Sequence, residues 1–358
     1  MRILIVGQWR WLQYEEAFAR GLRDNGVEVT ELRLAPYFSG PLGRLQYALP
    51  VAGPGAIRAG RAILAAARSA RPDFVLFWRP THVLRRTLLA LRRLGIATIS
   101  YNNDDPFSPG LADQRRWHRR ALWRLYRKAL PLFDFNFFYR RVNCEEAKAN
   151  GARHADVLLP YFLPWQERPI ALSEADKARF DADVVFVGHF ENDGRDRDLL
   201  ALSAEGLSTR VWGDETWAES ALTGSGAVAG PITTVVGEDY AKALCGGRIC
   251  LCYMSKLNRD GYTRRCFEIP ATGRVMLAER TAELGALFEE GAEACFFSSR
   301  EELVRKARWL IDNPDERRRI AEGGRRRVWA DGHDVSSRAR RFIAQLGDRT
   351  RPEAGAEC

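Results

Sequence analysis

A chain of 358 residues is longer than one ordinary hydrophobic core requires, so its length predicts two domains. With 46% hydrophobic and 28% charged residues, the composition is ordinary for a soluble globular protein. The net charge of +9, from 55 basic and 46 acidic residues, favours anionic partners. It does not choose among nucleotides, phospholipid surfaces, acidic glycans and nucleic acid.

The cysteines and the N-terminus both indicate a reducing compartment. The seven cysteines are an odd number and form no Cys-x-x-Cys pair, which argues against zinc or a redox motif. Residues 1–7 predict a strand, because the apolar run is too short for a signal peptide and no cleavage site follows. No run approaches the roughly 20 apolar residues of a membrane span. We therefore expect a cytoplasmic protein with at most peripheral membrane contact.

Strands and helices alternate through the first half of the chain. The predicted strands are residues 3–6, 27–34, 74–77, 97–101, 133–138 and 157–159. The predicted helices are residues 12–25, 57–70, 84–94 and 115–130. This alternation predicts a parallel sheet with helices on both faces.

After a proline-rich hinge at 160–165, the alternation restarts with an apolar strand at 183–188. Further strands are predicted at 209–212, 249–253, 275–278 and 295–297, and helices at 300–313, 314–331 and 335–346. The predicted domains are 1–164 and 183–332, with a linker at 165–182. A last helix at 333–346 is expected to pack back across the hinge, before a disordered tail at 347–358.

The fold class is therefore α/β, with two doubly wound Rossmann-like domains facing a cleft. Ligands of such open sheets bind beyond the carboxyl ends of the strands. The loops at these ends are predicted to be residues 7–11, 102–110, 188–198, 213–217 and 254–263.

The segment 259–273 is the most informative part of the sequence. Asp260 and Glu268 stand eight positions apart with Arg264 and Arg265 between them, and a turn signal follows. A loop, a short helix and a strand in this order offer N–H and guanidinium groups to a diphosphate and a carboxylate to a ribose diol. The alternative is an amphipathic helix with a solvated charged face.

These residues resemble the group 1 glycosyltransferases of the GT-B fold, above all those similar to the spore maturation protein CgeB. The resemblance rests on segment 260–273 with its Arg-x-Phe-Glu-x-Pro-Ala-x-Gly pattern, on residues 103–106 and 187–190, and on the region 300–324. It covers about residues 100–345 and is weaker before them. It implies a cytoplasmic, metal-independent transferase of the hexosyltransferase type that uses a nucleotide sugar as substrate and needs no cofactor.

The resemblance also implies roles for individual residues. Glu268 matches the second glutamate of the Glu-x7-Glu motif, which in that family binds the nucleotide ribose. Asp260 stands where the first glutamate contacts the donor sugar, one methylene shorter. Arg264, Arg265 and Lys256 are then the cations that stabilise the leaving diphosphate without a metal.

A second group of donor-binding candidates follows the strand 183–188. Gly188 lets the backbone approach a phosphate or sugar, His189 is a candidate for the sugar, and Arg195 is a candidate for the diphosphate. The alternatives are a plain turn and a solvated histidine. Asp196 and Asp198 form a DxD triplet, which we interpret as helix capping, so that no metal is expected.

The candidate catalytic groups on the acceptor side are Asp104 and Asp105, together with Asp260 on the donor side. Asp104 and Asp105 leave the strand 97–101 before a proline, where the alternative is a simple turn. Either carboxylate is a candidate to accept the proton of the acceptor hydroxyl. Trp9 is a candidate to stack on a sugar or to cap the core, and Trp212, Gly213 and Trp217 are candidates to flank the nucleotide base.

The sequence thus predicts a glycosyltransferase that moves a sugar from a nucleotide sugar to a glycan, lipid or protein acceptor, and the resemblance to group 1 enzymes implies retention at the anomeric carbon. Two alternatives remain open: a nucleotide-sugar 2-epimerase of the same fold and a non-catalytic protein that binds anionic ligands. The basic, aromatic helix 115–130 predicts peripheral membrane contact, or else a solvated face. No nucleic-acid partner is expected.

Overall fold

The computed structural model of the protein describes residues 1–108 and 121–350. The chain divides into two compact units. Unit 1 is Met1–Leu159 together with the C-terminal segment from Val335, and unit 2 is Pro160–Asp334. The sequence had suggested a boundary at 164 and a separate linker at 165–182. That segment instead contains the helix Glu174–Phe180, which a capping box of Ser173 and Asp176 begins, and it is part of unit 2.

Unit 1 is built on one parallel sheet in the strand order β2-β1-β3-β4-β5-β6. Its strands are β1 (Arg2–Gly7), β2 (Glu28–Arg33), β3 (Phe74–Trp78), β4 (Ala97–Asn102), β5 (Phe135–Phe138) and β6 (Ala155–Val157). Its described helices are Ala17–Asp24, Gly40–Ala48, Pro54–Ala70, Arg85–Arg93, Arg124–Ala129, Arg141–Ala149 and Val335–Thr350, with shorter turns at Leu12–Glu16, Ala35–Phe38 and Leu130–Leu132.

The central strands of unit 1 are buried on both faces. Leu4 and Val6 of β1 and Val75 and Phe77 of β3 lie in one core with the helices of one face. Such strands are apolar at every position because helices cover both sides of a parallel sheet. The unbroken apolar runs of the sequence therefore predicted these strands well.

Unit 2 is built on a second parallel sheet in the order β11-β10-β9-β7-β8. Its strands are β7 (Ala182–Val187), β8 (Thr209–Trp212), β9 (Gly247–Cys252), β10 (Val275–Glu279) and β11 (Cys295–Phe297). Its helices are Glu174–Phe180, Arg195–Ala204, Glu238–Gly246, Arg265–Ala271, Ala282–Leu287, Arg300–Asp312 and Pro314–Ala330, with a shorter turn at Glu215–Glu219.

The strand orders define where each unit can hold a ligand. In unit 1 the order reverses between β1 and β3, and in unit 2 between β7 and β9. At such a switch point the connections leave in opposite directions and a crevice opens beyond the carboxyl ends of the strands. The loops that follow β1, β3 and β4, and those that follow β7, β8 and β9, are therefore the places to look for function.

The last helix and the cysteines also bear on the sequence expectations. Val335–Thr350 packs within unit 1, where Phe342 contacts Phe18 and Phe137, and it extends past the expected start of the tail. Residues 351–358 lie outside the described part of the chain.

The six described cysteines are buried free thiols. No helix in the described ranges is long and apolar enough to cross a membrane.

Candidate functional site

At the switch point of unit 2, Gly188 and Arg265 lie side by side. Gly188 follows β7, and a Cβ there would lie 2.9 Å from the ring of Phe186 and 3.3 Å from the guanidinium of Arg265. The missing side chain is what allows Arg265 to approach the loop this closely. The Nε of Arg265 is buried and has no hydrogen-bond partner in the described ranges. Two residues predicted for donor binding are thus brought together.

Arg195 supports the loop that follows β7. Its side chain is 2% exposed and donates to both carboxylate oxygens of Asp193, at 2.8 and 2.6 Å, and to the carbonyl oxygen of His189 at 2.9 Å. A contact with a diphosphate would require Arg195 to give up one of these bonds. Its role in donor binding stays a prediction, and its present contacts are structural.

Glu191 joins the loop after β7 to the loop after β9. Its buried carboxylate accepts hydrogen bonds from His189 Nε2 at 2.9 Å and from the backbone N–H of Lys256 at 3.2 Å. Burial raises the pKa of Glu191, but hydrogen bonds from His189 and Ser255 and the charge of Arg195 outweigh burial and lower the pKa to about 2. The imidazole of His189 remains half-exposed and accessible to a ligand.

The loop after β9 carries two more predicted residues. The half-exposed ammonium of Lys256 pairs with Glu279 Oε1 at 2.9 Å. Asp260 is partly exposed, and its backbone N–H donates to the carbonyl oxygen of Ser255 at 2.9 Å. The preceding Arg259 has a φ of 54°. This backbone conformation is strained for a residue other than glycine, and such conformations cluster at functional sites. Asp260 therefore lies on a tightly turned loop, whereas Glu268 lies on the helix that follows.

Glu268 is the centre of a buried ionic cluster. It is 4% exposed on the helix Arg265–Ala271, where Oε1 accepts from Arg264 Nε and Oε2 accepts from the hydroxyl of Tyr240 at 2.5 Å. A second carboxylate, that of Glu167, lies 3.7 Å from Arg264 Nη2. We call Glu167, Tyr240, Arg264 and Glu268 the carboxylate cluster. Arg264 thus lies between two acids and orients Glu268.

Burial and charge shift the titration of the carboxylate cluster. Burial and the nearby Glu268 carboxylate raise the pKa of Glu167 to about 7, against the opposing charge of Arg264. Burial alone lowers the pKa of Arg264, but Glu268 and Glu167 outweigh burial and raise it. Burial and the charge of Glu268 raise the pKa of Tyr240. Arg264 and Tyr240 therefore stay protonated as hydrogen-bond donors to Glu268 at neutral pH.

Two members of the carboxylate cluster were not predicted from the sequence. Tyr240 is 28 positions from Glu268 and lies on the helix Glu238–Gly246. Glu167 belongs to the segment predicted as a linker. Neither residue has a motif or spacing that relates it to Glu268, so only the fold of unit 2 brings them together.

A groove of about 660 Å³ follows β8 in unit 2. Gly213 and Trp217, two of the predicted base-flanking residues, line it. Trp217 donates from its indole Nε1 to the carbonyl oxygen of Gly188 at 2.8 Å, so this groove borders the loop after β7. Trp212 is 1% exposed and belongs to the core of the unit.

The DxD triplet is engaged by the protein itself. Asp196 accepts the backbone N–H groups of Arg197 and Ala221, each at 2.9 Å. Asp198 accepts from Arg300 at 2.8 Å and from the hydroxyl of Tyr253 at 3.3 Å. No group of three or more potential metal ligands occurs in residues 1–108 and 121–350. The two acids therefore have a local structural role.

In unit 1, the two predicted aspartates have different surroundings. Asp104 is partly exposed and pairs through Oδ2 with Arg79 Nε at 2.5 Å, at the edge of a cavity of about 260 Å³. Asp105 is buried, and its Oδ1 accepts from the backbone of Phe107 and Ser108 and from Asn143, at 2.8 to 2.9 Å. Asp105 therefore stabilises the turn, the alternative that the sequence left open, and Asp104 is the carboxylate accessible to a substrate.

The first six residues of the predicted basic helix, 115–120, lie outside the described residues. In its described part, Trp123 and Tyr126 are buried, and Arg124 and Lys128 are exposed. This pattern is typical of a helix with a solvated basic face. Contact of this region with a membrane stays a prediction.

Part of this site lies in a stretch of sequence that matches a known family model. Residues 195–344 match the family model described as glycosyl transferase-like. The match covers less than half of the chain and contains Arg195, Lys256 and the segment from Asp260 to Glu268. No curated protein sequence matches the chain closely enough to indicate a relationship.

Solved structures match nearly the whole chain. Anabaena Alr3699/HepE in complex with UDP-glucose is 13% identical, with a TM-score of 0.65 over 97% of this chain and 100% of that one. Sucrose-phosphate synthase from Thermosynechococcus elongatus is 12% identical, with a TM-score of 0.71 over 98% of each chain. A putative UDP-N-acetylglucosamine 2-epimerase from Listeria monocytogenes is 13% identical, with a TM-score of 0.57 over 97% of this chain and 96% of that one.

The two parallel-sheet units and these neighbours show that the protein has the GT-B fold, built of two Rossmann-like domains. This confirms the fold predicted from the sequence. The narrower resemblance to the CgeB-like proteins stays a prediction.

Proposed function

We propose that the protein is a glycosyltransferase that moves a sugar from a nucleotide sugar to a hydroxyl acceptor. The observation that carries the proposal is the buried Glu268, oriented by Arg264 and Tyr240 beside the switch point of unit 2. It lies within the stretch that matches a glycosyl transferase-like family. A neighbour of the same fold was solved with UDP-glucose, which supports a nucleotide sugar as the donor class.

Each part of the donor has a partner in unit 2 under this proposal. The Glu268 carboxylate accepts hydrogen bonds from the ribose diol, and a carboxylate held by two donors is well oriented for this. Arg265 beside Gly188 and the half-exposed Lys256 offer positive charge to the diphosphate. The groove lined by Trp217 is large enough for a nucleobase.

The transfer forms a bond between the acceptor oxygen and the anomeric carbon of the donor. The bond from that carbon to the diphosphate oxygen breaks, and the nucleoside diphosphate leaves with the electron pair. Arg264, Arg265 and Lys256 are the proposed stabilisers of the departing charge, so that the proposed reaction is metal-independent. Asp104 is the proposed acceptor of the hydroxyl proton, and Asp260 the proposed contact to the donor sugar.

Retention at the anomeric carbon and a hexose as the transferred sugar are part of the proposal. They rest on the resemblance to group 1 enzymes. NMR of the product tests both, because the set of ring-proton signals identifies the transferred sugar and the coupling constant of the anomeric proton reports its configuration.

Donor binding tests the proposal directly. Calorimetry and thermal shift with UDP-, GDP-, dTDP- and CMP-sugars, first without metal and then with Mg²⁺, should show binding of one nucleotide series without metal. Glu268→Gln should weaken that binding by about tenfold to a hundredfold, because it removes a hydrogen-bond acceptor that is charged. The matched control is Glu322→Gln, which changes an exposed carboxylate of the same unit. Unchanged affinity in Glu268→Gln would reject this location of the donor.

A nucleotide-sugar 2-epimerase is the second candidate, because a putative epimerase shares the fold. An epimerase changes its substrate without an acceptor. Incubation with UDP-N-acetylglucosamine alone, followed by NMR, should leave the donor unchanged at C2 if the protein is a transferase. Appearance of the C2 epimer would favour the second candidate, and binding of anionic polymers alone would favour a non-catalytic protein.

A further inference from the structure

A small cavity in unit 1 has the features of a site for one sugar ring. It lies at the carboxyl edge of β1, β3 and β4, on the same side of the sheet as the switch point. Its volume of about 260 Å³ is near the lower end of ligand pockets, so it suits a single ring better than an extended ligand. The lining residues that bear on a ligand are Trp11, Tyr14, Tyr47, Arg79 and Asp104.

Aromatic side chains form a large part of this lining. Trp11 is 46% exposed and lines the cavity, so part of its ring is accessible to a ligand. Tyr47 is fixed by a parallel stack on His82, with ring centroids 4.7 Å apart. Trp9, which the sequence suggested for stacking, is only 7% exposed and caps the core instead. The guanidinium of Arg10 lies over the Trp11 ring, 4.9 Å from its centroid, so the accessible aromatic surface is the rest of Trp11 and its neighbours in the cavity.

A charged pair provides the polar part of the cavity. Arg79 and Asp104 are both about one-third exposed, and their contact joins Nε of one to Oδ2 of the other. In the described residues no further hydrogen bond engages the terminal nitrogens of Arg79 or the second oxygen of Asp104, and the Arg79 guanidinium lies over the ring of Trp123 at 5.6 Å. The pair therefore offers both donors and an acceptor to neighbouring hydroxyl groups.

The backbone around the cavity is strained. Arg79 has a φ of 49° and Trp9, between two lining residues, has a φ of 54°. Such conformations are unfavourable for residues other than glycine and cluster at functional sites. Here the buried Glu15 accepts the N–H groups of Gln8 and Trp9 at 2.8 and 3.2 Å, and the N–H of Arg79 donates to the carbonyl oxygen of Tyr101 at 2.8 Å. These bonds hold the lining residues in place.

We infer that the unit 1 cavity binds one sugar ring of a saccharide. The apolar face of the ring packs against Trp11 and Tyr14, which removes both surfaces from water. The ring hydroxyls bond to the pair of Arg79 and Asp104. The inference rests on the proposed function in one respect: if the protein is a glycosyltransferase, this saccharide, free or carried on a lipid or protein, is the acceptor.

Saturation-transfer NMR of the full chain tests the inference. The probes are methyl β-glucopyranoside, methyl β-galactopyranoside, methyl N-acetyl-β-glucosaminide and glucuronate, with glycerol as a hydroxyl-bearing compound that has no ring. At least one saccharide should receive saturation at its ring protons while glycerol receives none. Trp11→Ala should weaken that binding by about tenfold, and Asp104→Asn should also weaken it.

The matched control for Trp11→Ala is Trp309→Ala, because Trp309 is 44% exposed and lies in unit 2. This control should keep the saccharide affinity of the unmodified protein. The inference would be overturned if no saccharide received saturation. It would also be overturned if Trp11→Ala and Asp104→Asn both bound the saccharide as tightly as the unmodified protein does. Glu268→Gln in the same assay separates it from the proposed function: loss of nucleotide-sugar binding with retained saccharide binding shows that the two sites act independently.

Discussion

Tyr240 is a positioning residue for Glu268 under the proposed function. Its hydroxyl donates to Glu268 Oε2 at 2.5 Å, so Tyr240→Phe leaves the carboxylate oriented by Arg264 alone. A hydrogen bond of this kind contributes about 1 kcal/mol, so nucleotide-sugar affinity should fall by about threefold to tenfold. Calorimetry measures this affinity, and the melting temperature of the variant reports any loss of stability separately.

Tyr253→Phe is the matched control for Tyr240→Phe. It removes a second buried phenol-to-carboxylate bond of unit 2, that of Tyr253 to Asp198 at 3.3 Å. This change should lower stability without changing donor affinity. Equal effects of the two variants on affinity would mean that Tyr240 acts through general stability and does not position Glu268.

Glu167 makes the stability of the protein depend on pH. Burial and the Glu268 carboxylate raise its pKa to about 7 from an ordinary value of 4.5. Between these two values the folded state retains a proton that the unfolded state has released, so this group contributes a loss of stability as pH rises from about 4.5 to 7. Glu167→Gln should remove this contribution. Denaturant unfolding of the unmodified protein and of Glu167→Gln at pH 5 and pH 7 measures how much the free energy of unfolding falls between these pH values. The fall should be smaller in the variant. An unchanged pH dependence would contradict this assignment.

At the residue scale, the sequence predicted what is local and missed what is not. Glu268, Arg264 and Arg265 were predicted as donor-binding candidates because they share one short segment with a recognisable spacing. Tyr240 and Glu167 were not predicted, because their contacts with Glu268 and Arg264 join distant segments of the chain. These contacts depend on the packing of the helix Glu238–Gly246 and of the start of unit 2. Asp105 could not be told from Asp104 in the sequence, because burial distinguishes them.

At the scale of elements, the helix Pro314–Ala330 packs by close contact of its backbone. A Cβ at Gly324 would collide with the carbonyl oxygen of Glu293, an atom of the main chain that cannot move aside easily. Gly324→Ala should therefore lower the free energy of unfolding by at least about 1 kcal/mol, although alanine is the better helix former. Urea unfolding monitored by circular dichroism measures this change.

Gly285→Ala is the control for the packing of Gly324. Gly285 is exposed in the helix Ala282–Leu287, and an added Cβ there meets no atom within 4 Å. Alanine should therefore stabilise the protein by about 0.4–1 kcal/mol through helix propensity and a less flexible unfolded chain. We expect Gly324→Ala to lower the free energy of unfolding and Gly285→Ala to raise it. If both substitutions lowered it, helix propensity would not determine the effect at Gly285.

The alternation of strands and helices was predictable because a parallel sheet covered on both faces leaves unbroken apolar runs in the sequence. The helix Glu174–Phe180 was missed because its polar sequence has few apolar residues from which to recognise a helical period. Its capping box, Ser173 with Asp176, was the available signal. Short polar helices of this kind depend on their caps and on tertiary contacts.

At the scale of the whole molecule, the chain returns to unit 1 after completing unit 2. The sequence predicted a last helix. The unit to which this helix belongs depends on the apolar surface against which it packs, and the sequence does not show that surface. Gly21 provides the close approach, since a Cβ there would lie 2.7 Å from the carbonyl oxygen of Val335. Asn25 then donates to the carbonyl oxygen of Ser336 at 2.9 Å. The two ends of the chain thus complete one unit.

Phe342→Ala tests this role of the last helix. The ring of Phe342 is fully buried, with centroids 5.3 Å from Phe18 and 5.0 Å from Phe137, and its removal should cost about 3–5 kcal/mol. Because these contacts lie within unit 1, hydrogen exchange should lose more protection in β1, β3 and β5 than in β7 and β9. Mass spectrometry of the exchanged peptides resolves these strands. An equal loss in both sheets would show that the helix stabilises the protein as a whole, and a larger loss in unit 2 would contradict the assignment of Val335–Thr350 to unit 1.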